Sequence, residues 1–151
     1  MSVQVTGEAE LKSKLLSLGR EMDTAIANGV FLTANDIRTD AIKSIQEQSF
    51  GSYVQRSRQG GGTYTHIAAA PGSAPNTDTG KLVSSIAVEM DWDKREAEVG
   101  SNLDYATWLE LGTKKMDARP WLEPALKKNR DNLNANLIKA ANAVIKKKSR
   151  K

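Results

Sequence analysis

The 151-residue sequence contains no cysteine. That removes disulfide staples, thiolate catalysis and Cys-ligated zinc together, and it makes folding independent of the redox state of the compartment. Histidine occurs once, as His66, with no carboxylate cluster beside it in the chain; a lone imidazole is a poor basis for a metal centre or a catalytic pair. No stretch approaches the roughly 18 consecutive apolar residues that a membrane-spanning helix requires. The opening "MSVQVTGEAELKSK" also lacks the basic start and apolar run of a secretory leader, so the chain reads as a soluble, unexported, cytoplasm-folding protein without membrane contact. Aromatic residues are scarce, at 5%, within a hydrophobic fraction of 39%. The core must then be built mainly from Leu, Ile, Val and Ala, with three tryptophans as large anchors. A chain of this length is most simply one domain, able to bury roughly 68 to 70% of its unfolded surface.

Charge is uneven along the chain. Residues 1–80 hold 7 basic and 8 acidic groups, residues 81–151 hold 15 and 10, and the last six, "KKKSRK", contain five of the basic ones: Lys146, Lys147, Lys148, Arg150 and Lys151. Such a tail attracts nucleic acid or an acidic surface by releasing counterions. The same composition is equally that of a solvated helix end, where cations suit the helix dipole.

Periodicity organises the rest. Leu11, Leu15, Leu18, Met22, Ile26, Val30, Thr33, Ile37, Ala41 and Ile45 recur in steps of three and four, predicting one long helix or two in line. Gly19 and Gly29 are places for a bend, and Ser2 or Thr6 could cap the start. Residues 51–80, with three consecutive glycines and two prolines, read as a long loop or arm of the kind that is functional or ordered by a partner. Within "TDTGKLVSSI", the Gly80-Lys81 pair superficially resembles a phosphate loop, but Pro75 and Leu82 stand where that motif needs a Gly and a Ser or Thr. Asp78 or Thr79 capping a short helical turn that carries Leu82 and Ile86 inward is the better reading. The segment "SIAVEMDWDKREAEVGS" alternates, with Ile86, Val88, Met90 and Trp92 on one face, a turn at Asp93-Lys94, then Ala97 and Val99. This predicts an antiparallel hairpin whose carboxylates Glu89, Asp91, Glu96 and Glu98 face solvent.

Helical spacing resumes at Leu103 and stops at Gly112, where the stretch "ELGTKKMDARPWLEPAL" begins its run of unusual residues. Gly112 supplies a left-handed position closing the helix. Pro120 forces Arg119 toward an extended conformation and presets the first position of a terminal helix, with Asp117 near its positive end and Trp121 and Leu122 turned into the core. Along that helix Leu122, Leu126, Leu133, Leu137, Ala140 and Val144 form a stripe, while asparagines at 129, 132, 134, 136 and 142 make the other face polar. Arg119, held beside a proline, is placed for a bidentate carboxylate contact within the protein or across a subunit interface. Lys114 and Lys115 join it in a cationic surface, or are solvated loop lysines. No nucleophile, general base and orienting acid converge, so no catalytic residue, metal site or cofactor is expected.

Three ordered motifs carry a resemblance: "PNTDTGKLVSSI", "VGSNLDYATWLELGT" and "MDARPWLEPAL". Their residues Thr79, Gly80 and Leu82, then Tyr105, Ala106, Glu110, Gly112 and Thr113, then Ala118, Arg119, Pro120, Trp121 and Leu122 resemble the lambda Z-like group of small neck or tail-completion proteins of long-tailed bacteriophages. The likeness spans residues 75 to 126, with Trp121 where that group more often has Phe. It implies a non-enzymatic virion protein, assembled in the host cytoplasm, that joins head to tail as a ring-forming homo-oligomer beside other tail or neck proteins. The alternative is a nucleic-acid-binding module using the basic tail with Lys114, Lys115, Arg119 and Lys127, and a neck protein could also touch phage DNA. The expected fold is α+β in one domain: a long helical segment (1–50) packed on a small antiparallel sheet, the Gly/Pro-rich arm (51–80), a hairpin and helix-loop core (81–126), and an amphipathic terminal helix with its basic tail (127–151). Tyr105, Glu110, Gly112, Arg119, Pro120 and Trp121 are the candidate joint or interface residues.

Overall fold

The computed structural model describes residues 8–149, with Glu8 described by its backbone only. One uninterrupted helix, α1 (Glu8–Gln46), extends about 58 Å at 1.5 Å per residue. Neither glycine breaks it, and the proposed caps Ser2 and Thr6 lie outside the described residues. Its apolar stripe deepens toward the C-terminal end: Ala25, Ala27, Ala34, Ile37, Ala41 and Ile45 are buried, whereas Leu11, Leu15 and Leu16 are each close to 60% exposed.

The arm expected at 51–80 contains two strands. β1 (Gly51–Ser57) and β2 (Thr63–Ala69) pair antiparallel, from Gly51 opposite Ala69 to Ser57 opposite Thr63. Both faces of "SYVQRS" and "TYTHI" are mostly polar, so no apolar alternation marks the strands. The consecutive glycines, Gly60, Gly61 and Gly62, all have positive φ and form the turn.

A short helix, α2 (Lys81–Ser85), leads into the second hairpin, β3 (Ile86–Asp91) and β4 (Glu96–Ser101). Leu82 and Ile86 are buried as expected. Neither Asp78 nor Thr79 caps α2: the cap position is Gly80, in the left-handed conformation and without a side-chain bond. Hairpin alternation matches expectation, with Ile86, Val88 and Met90 turned inward and Glu89, Asp91, Glu96 and Glu98 exposed. The turn is held by Asp91, which accepts the N–H groups of Asp93 and Lys94. The hairpin runs back along α1, tied by Arg38 Nε donating to the Ile86 carbonyl at 2.8 Å and by the Arg95–Asp23 ion pair at 2.7 Å. The two hairpins are separate two-stranded sheets, so the fold is α+β.

After β4 come α3 (Asp104–Leu111) and the terminal helix α4 (Glu123–Lys148). The core gathers Ile37, Ala41, Ile45, Leu82, Ile86, Ala106, Trp121 and Ala125. Of the three tryptophans only Trp121 is buried; Trp108 is more than half exposed, and Trp92 lies beyond the end of β3 against Phe31, ring centroids 5.6 Å apart.

α4 returns antiparallel along α1; Asn132, Asn134 and Asn142 are exposed as expected, but Asn129 and Asn136 face α1 and correct the expected polar outer face. Asn129 is 2% exposed. Its side-chain amide donates to Asp40 Oδ2 at 2.7 Å and to the Ala125 carbonyl, and it accepts from Asn132. Asn136 donates to Thr33 Oγ1 at 3.0 Å. Gly29 lets α4 approach closely, since an added Cβ would sit 3.0 Å from a Leu137 methyl. The helix pair is zipped by a polar seam, and no buried side-chain polar atom among the described residues lacks a partner. Leu126, on the expected apolar stripe, is half exposed.

Candidate functional site

Residues 110–123 connect α3 to α4, and their geometry centres on Glu110. Its Oε2 accepts the N–H groups of Trp121 at 2.8 Å and Leu122 at 2.9 Å, while Oε1 accepts that of Glu123 at 2.8 Å. The first N–H groups of a helix have no intrahelical acceptor; here a carboxylate from the preceding helix supplies one, and its negative charge suits the helix dipole. The terminal helix therefore begins at Glu123, three residues later than Pro120 predicts, with Pro124 tolerated in the first turn. The capping carboxylate is Glu110 rather than the nearby Asp117.

Gly112 closes α3 through its N–H on the Trp108 carbonyl, 2.9 Å, with φ 75° as expected but ψ −179°. That extended, positive-φ region is essentially closed to residues with a Cβ. An added Cβ would also lie 2.8 Å from the Ala118 nitrogen and 2.9 Å from the Met116 carbonyl oxygen. Thr113 and Met116 form a small bridge across the turn that carries Lys114 and Lys115. The Arg119 N–H then donates to the Leu109 carbonyl, 2.7 Å. Within the chain its side chain meets a carbonyl and no carboxylate: Nε donates to Ala69 at the end of β2, 2.9 Å. Trp121 Nε1 donates to the Ala106 carbonyl at 3.3 Å. The joint thus fastens α3, α4 and the base of the first hairpin to one another.

Between β2, residues 75–82 and the joint lies an open cleft of about 570 Å³. Its apolar lining includes Ile45, Leu82 and Leu109, and Arg56, His66, Asp78, Lys81, Tyr105 and Arg119 supply the polar lining. Partial burial raises the Tyr105 phenol above its usual value near 10. Asp78 fastens the first hairpin across this cleft: it accepts the Tyr64 hydroxyl, and Arg56 Nε and His66 Nδ1 stand 3.6 and 3.8 Å away. The hydrogen bond to Asp78 raises the Tyr64 phenol as well. A gap of 3.8 Å is too long for a His–carboxylate hydrogen bond of the kind that orients a catalytic base.

Asn76 is the residue for which the sequence offers least warning. Its amide oxygen accepts the Ser49 N–H at 2.7 Å, and its amide nitrogen donates to the carbonyls of Ser49 and Ile67 at 2.8 and 2.9 Å. It clips the exit of α1 to β2. The only cue is turn chemistry, an Asn between Pro75 and Thr77.

The candidate cations are not gathered on one patch. Lys114 and Lys115 are exposed in the joint turn and have no carboxylate partner among the described residues. Lys148 is paired with Glu21 at 2.7 Å and donates to Ser17 Oγ, and Lys147 is 3.8 Å from Glu21. The Lys148 hydrogen bond holds the Glu21 carboxyl below its ordinary range. Lys127 pairs with Glu123 within its own helix, at 2.7 Å. Lys146 is exposed, and Arg150 and Lys151 lie outside the described residues.

Residues 9–112, from α1 through the Gly112 stop, match the family model described as "Bacteriophage HK97-gp10, putative tail-component". The match takes in the long helix, both hairpins and the Tyr105–Gly112 motif, and it ends before the Arg119-Pro120-Trp121 step. No curated protein and no solved structure matches the chain. The family model accounts for well over half of the 151 residues, and the chain belongs to the HK97 gp10-like family of bacteriophage tail components.

Proposed function

We propose that this tail component completes the tail and joins it to the head, acting as one of several copies in a ring at the neck, as the lambda Z-like motifs imply. The observation that carries the reading is the surface left over after folding. The protein exposes 11261 Å², whereas a compact folded monomer of 16.5 kDa has about 7,500 Å². Large apolar side chains remain outside at Leu11, Leu15, Leu16, Phe50, Trp108, Leu111 and Ile138. Where such side chains cluster, as Leu11, Leu15 and Leu16 do on α1, they mark places where other proteins bind.

The joint supports the reading in a different way. Gly112, Glu110, Arg119 and Trp121 fix the directions in which α3, α4 and the first hairpin leave a shared corner, so the exposed faces are held in set orientations. Preorganised surfaces lower the ordering cost of association. The reading involves no catalytic step and no cofactor. Its partners are other tail or neck proteins and further copies of the chain; its place is the virion, reached by assembly in the host cytoplasm.

The test is a phage in which the gene is interrupted. Electron microscopy of the lysate is expected to show filled heads and separate tails, with joining restored when the protein is supplied from a plasmid. Normally joined, infectious particles made without the protein would remove the reading.

A further inference from the structure

The two hairpins are opposite in charge, and each is an incomplete sheet. On the outward face of the β3–β4 hairpin, the register sets Glu89 opposite Glu98 and Asp91 opposite Glu96. Like charges directly opposed across a strand pair destabilise it. Asp91 has Lys94 at 3.2 Å within the same turn, while Glu89, Glu96 and Glu98 have no cationic partner among the described residues. The β1–β2 hairpin has the converse composition: between Gly51 and Ala69 it carries Arg56 and Arg58 and no acidic residue. Arg58 lies 5.8 Å from the centroid of the Tyr64 ring and meets no carboxylate among the described residues.

Backbone and burial point the same way. Of the residues in β1 and β2 only Ala69 is buried, and a two-stranded hairpin with so little of its surface covered is marginal in water. Each of the four strands also has one edge without a partner strand; on β2 that edge is already engaged by Asn76 and Arg119 at the Ile67 and Ala69 carbonyls, which leaves the β1 edge of the arm as the template for strand addition.

We infer that in the assembled particle the β1–β2 arm of one copy adds to the β3–β4 hairpin of the next copy, bringing Arg58 to the Glu89–Glu98 and Asp91–Glu96 pairs while Arg56 stays beside Asp78 of its own chain. The inference rests on the reading of the protein as a self-associating tail component. Other cationic segments suit that face less well. Lys128 is engaged by Asp40, Lys147 and Lys148 by Glu21, and Lys127 by Glu123; Lys114 and Lys115 sit in a tight turn with no strand edge. Arginine, with its planar fork, can hold two carboxylate oxygens at once. Strands of this length extend about 23 Å, enough for the arm to reach over a neighbour. A patch meeting a different patch on the next copy is a heterologous contact, the kind that forms a ring when its rotation closes.

The absence of cysteine makes the test direct. Protein carrying Arg58→Cys is co-assembled with protein carrying Glu89→Cys or Glu98→Cys, both as concentrated pure protein and in tails from infected cells, and oxidised. A disulfide dimer is expected with at least one carboxylate-side variant, in roughly tenfold excess over a control pair of Arg58→Cys with Lys139→Cys on α4. Yields no higher than the control in both preparations would overturn the contact. As a second measurement, Arg58→Glu and Glu98→Arg are each expected to weaken self-association by about tenfold or more, and the chain carrying both to recover most of it. A double variant no better than the singles would remove the charge pairing. If interrupting the gene abolishes joining yet no arm cross-link forms, the tail-completion reading stands and this contact falls. A specific cross-link in a protein whose loss leaves joining intact would do the reverse.

Discussion

Glu110 belongs to one helix and caps another. Its two oxygens take three backbone N–H groups at the start of α4, so truncation removes an acceptor that nothing nearby replaces. Glu110→Ala is expected to lower stability by about 2 kcal/mol, in the upper range for a lost helix cap, and to shift the thermal midpoint down by roughly 4 to 8 °C for a chain of this size. Glu110→Gln keeps one of the two accepting oxygens and falls between. Lys114→Ala, in the exposed turn, leaves the midpoint unchanged; equal effects of Glu110→Ala and Lys114→Ala in calorimetry would show that the cap contributes nothing. The importance of this short run was legible in the sequence, because Gly112, Pro120 and Trp121 are residue types with strong backbone or packing demands. The role of Glu110 was not. A capping box is readable when cap and helix are three residues apart, but nothing local signals a carboxylate reaching a helix start eleven to thirteen positions later. Arg119 shows the same limit from another side: the adjacent proline marks it as held in place, yet its partner, the Ala69 carbonyl, is known only once β2 is brought beside the joint.

Among the elements, α1 and the β3–β4 hairpin were readable because each has one covered face and therefore an apolar period of its own. β1 and β2 were not, since the face turned toward Asp78 is lined by Arg56, Tyr64 and His66 and not by apolar side chains, and strand pairing there follows from the Gly60–Gly62 turn and from backbone bonds. The α1–α4 seam was misread for a related reason: asparagines facing a helix partner look like asparagines facing water unless their acceptors are known. In the seam, hydrogen bonds from Asn129 and then Lys128 hold the Asp40 carboxyl below its ordinary value near 3.8. A carboxyl depressed in the folded state contributes stability that is present above its unfolded value and lost as pH falls through the folded one. The difference in urea midpoint between the protein and Asp40→Asn is therefore expected to be present at pH 7 and to close as the pH drops below about 4. Asp91 and Glu21 are depressed too, so both proteins lose stability in acid; only the difference reports Asp40. A difference that persists unchanged at low pH would mean that the shape of Asp40, and not its charge, matters in the seam.

At the scale of the molecule, the stripe read from Leu11 to Ile45 is a helix throughout but a core-facing helix only in part. α4 ends beside Ser17 and Glu21, where Lys148 meets them, and residues 8–16 of α1 continue past that end for about 13 Å. Leu11, Leu15 and Leu16 on this overhang are each nearly 60% exposed, so they add little to the folded monomer. Their retention on a long, otherwise polar surface makes sense if a neighbouring tail protein or another copy covers them. Replacing Leu11 and Leu15 together by Asp tests this division of labour. Exposed substitutions away from packed features change stability by about 0.5 kcal/mol or less, so the melting transition of the purified variant is expected to stay within roughly 2 °C of the parent. A buried charge in an interface costs far more than one in water, so incorporation into tails, measured by complementing a phage that lacks the gene, is expected to fall by about tenfold or more. A variant that melts early yet is still incorporated into tails at the parental yield would place these leucines in the folding of the monomer instead. The two measurements separate the surface that holds the chain together from the surface that holds the particle together.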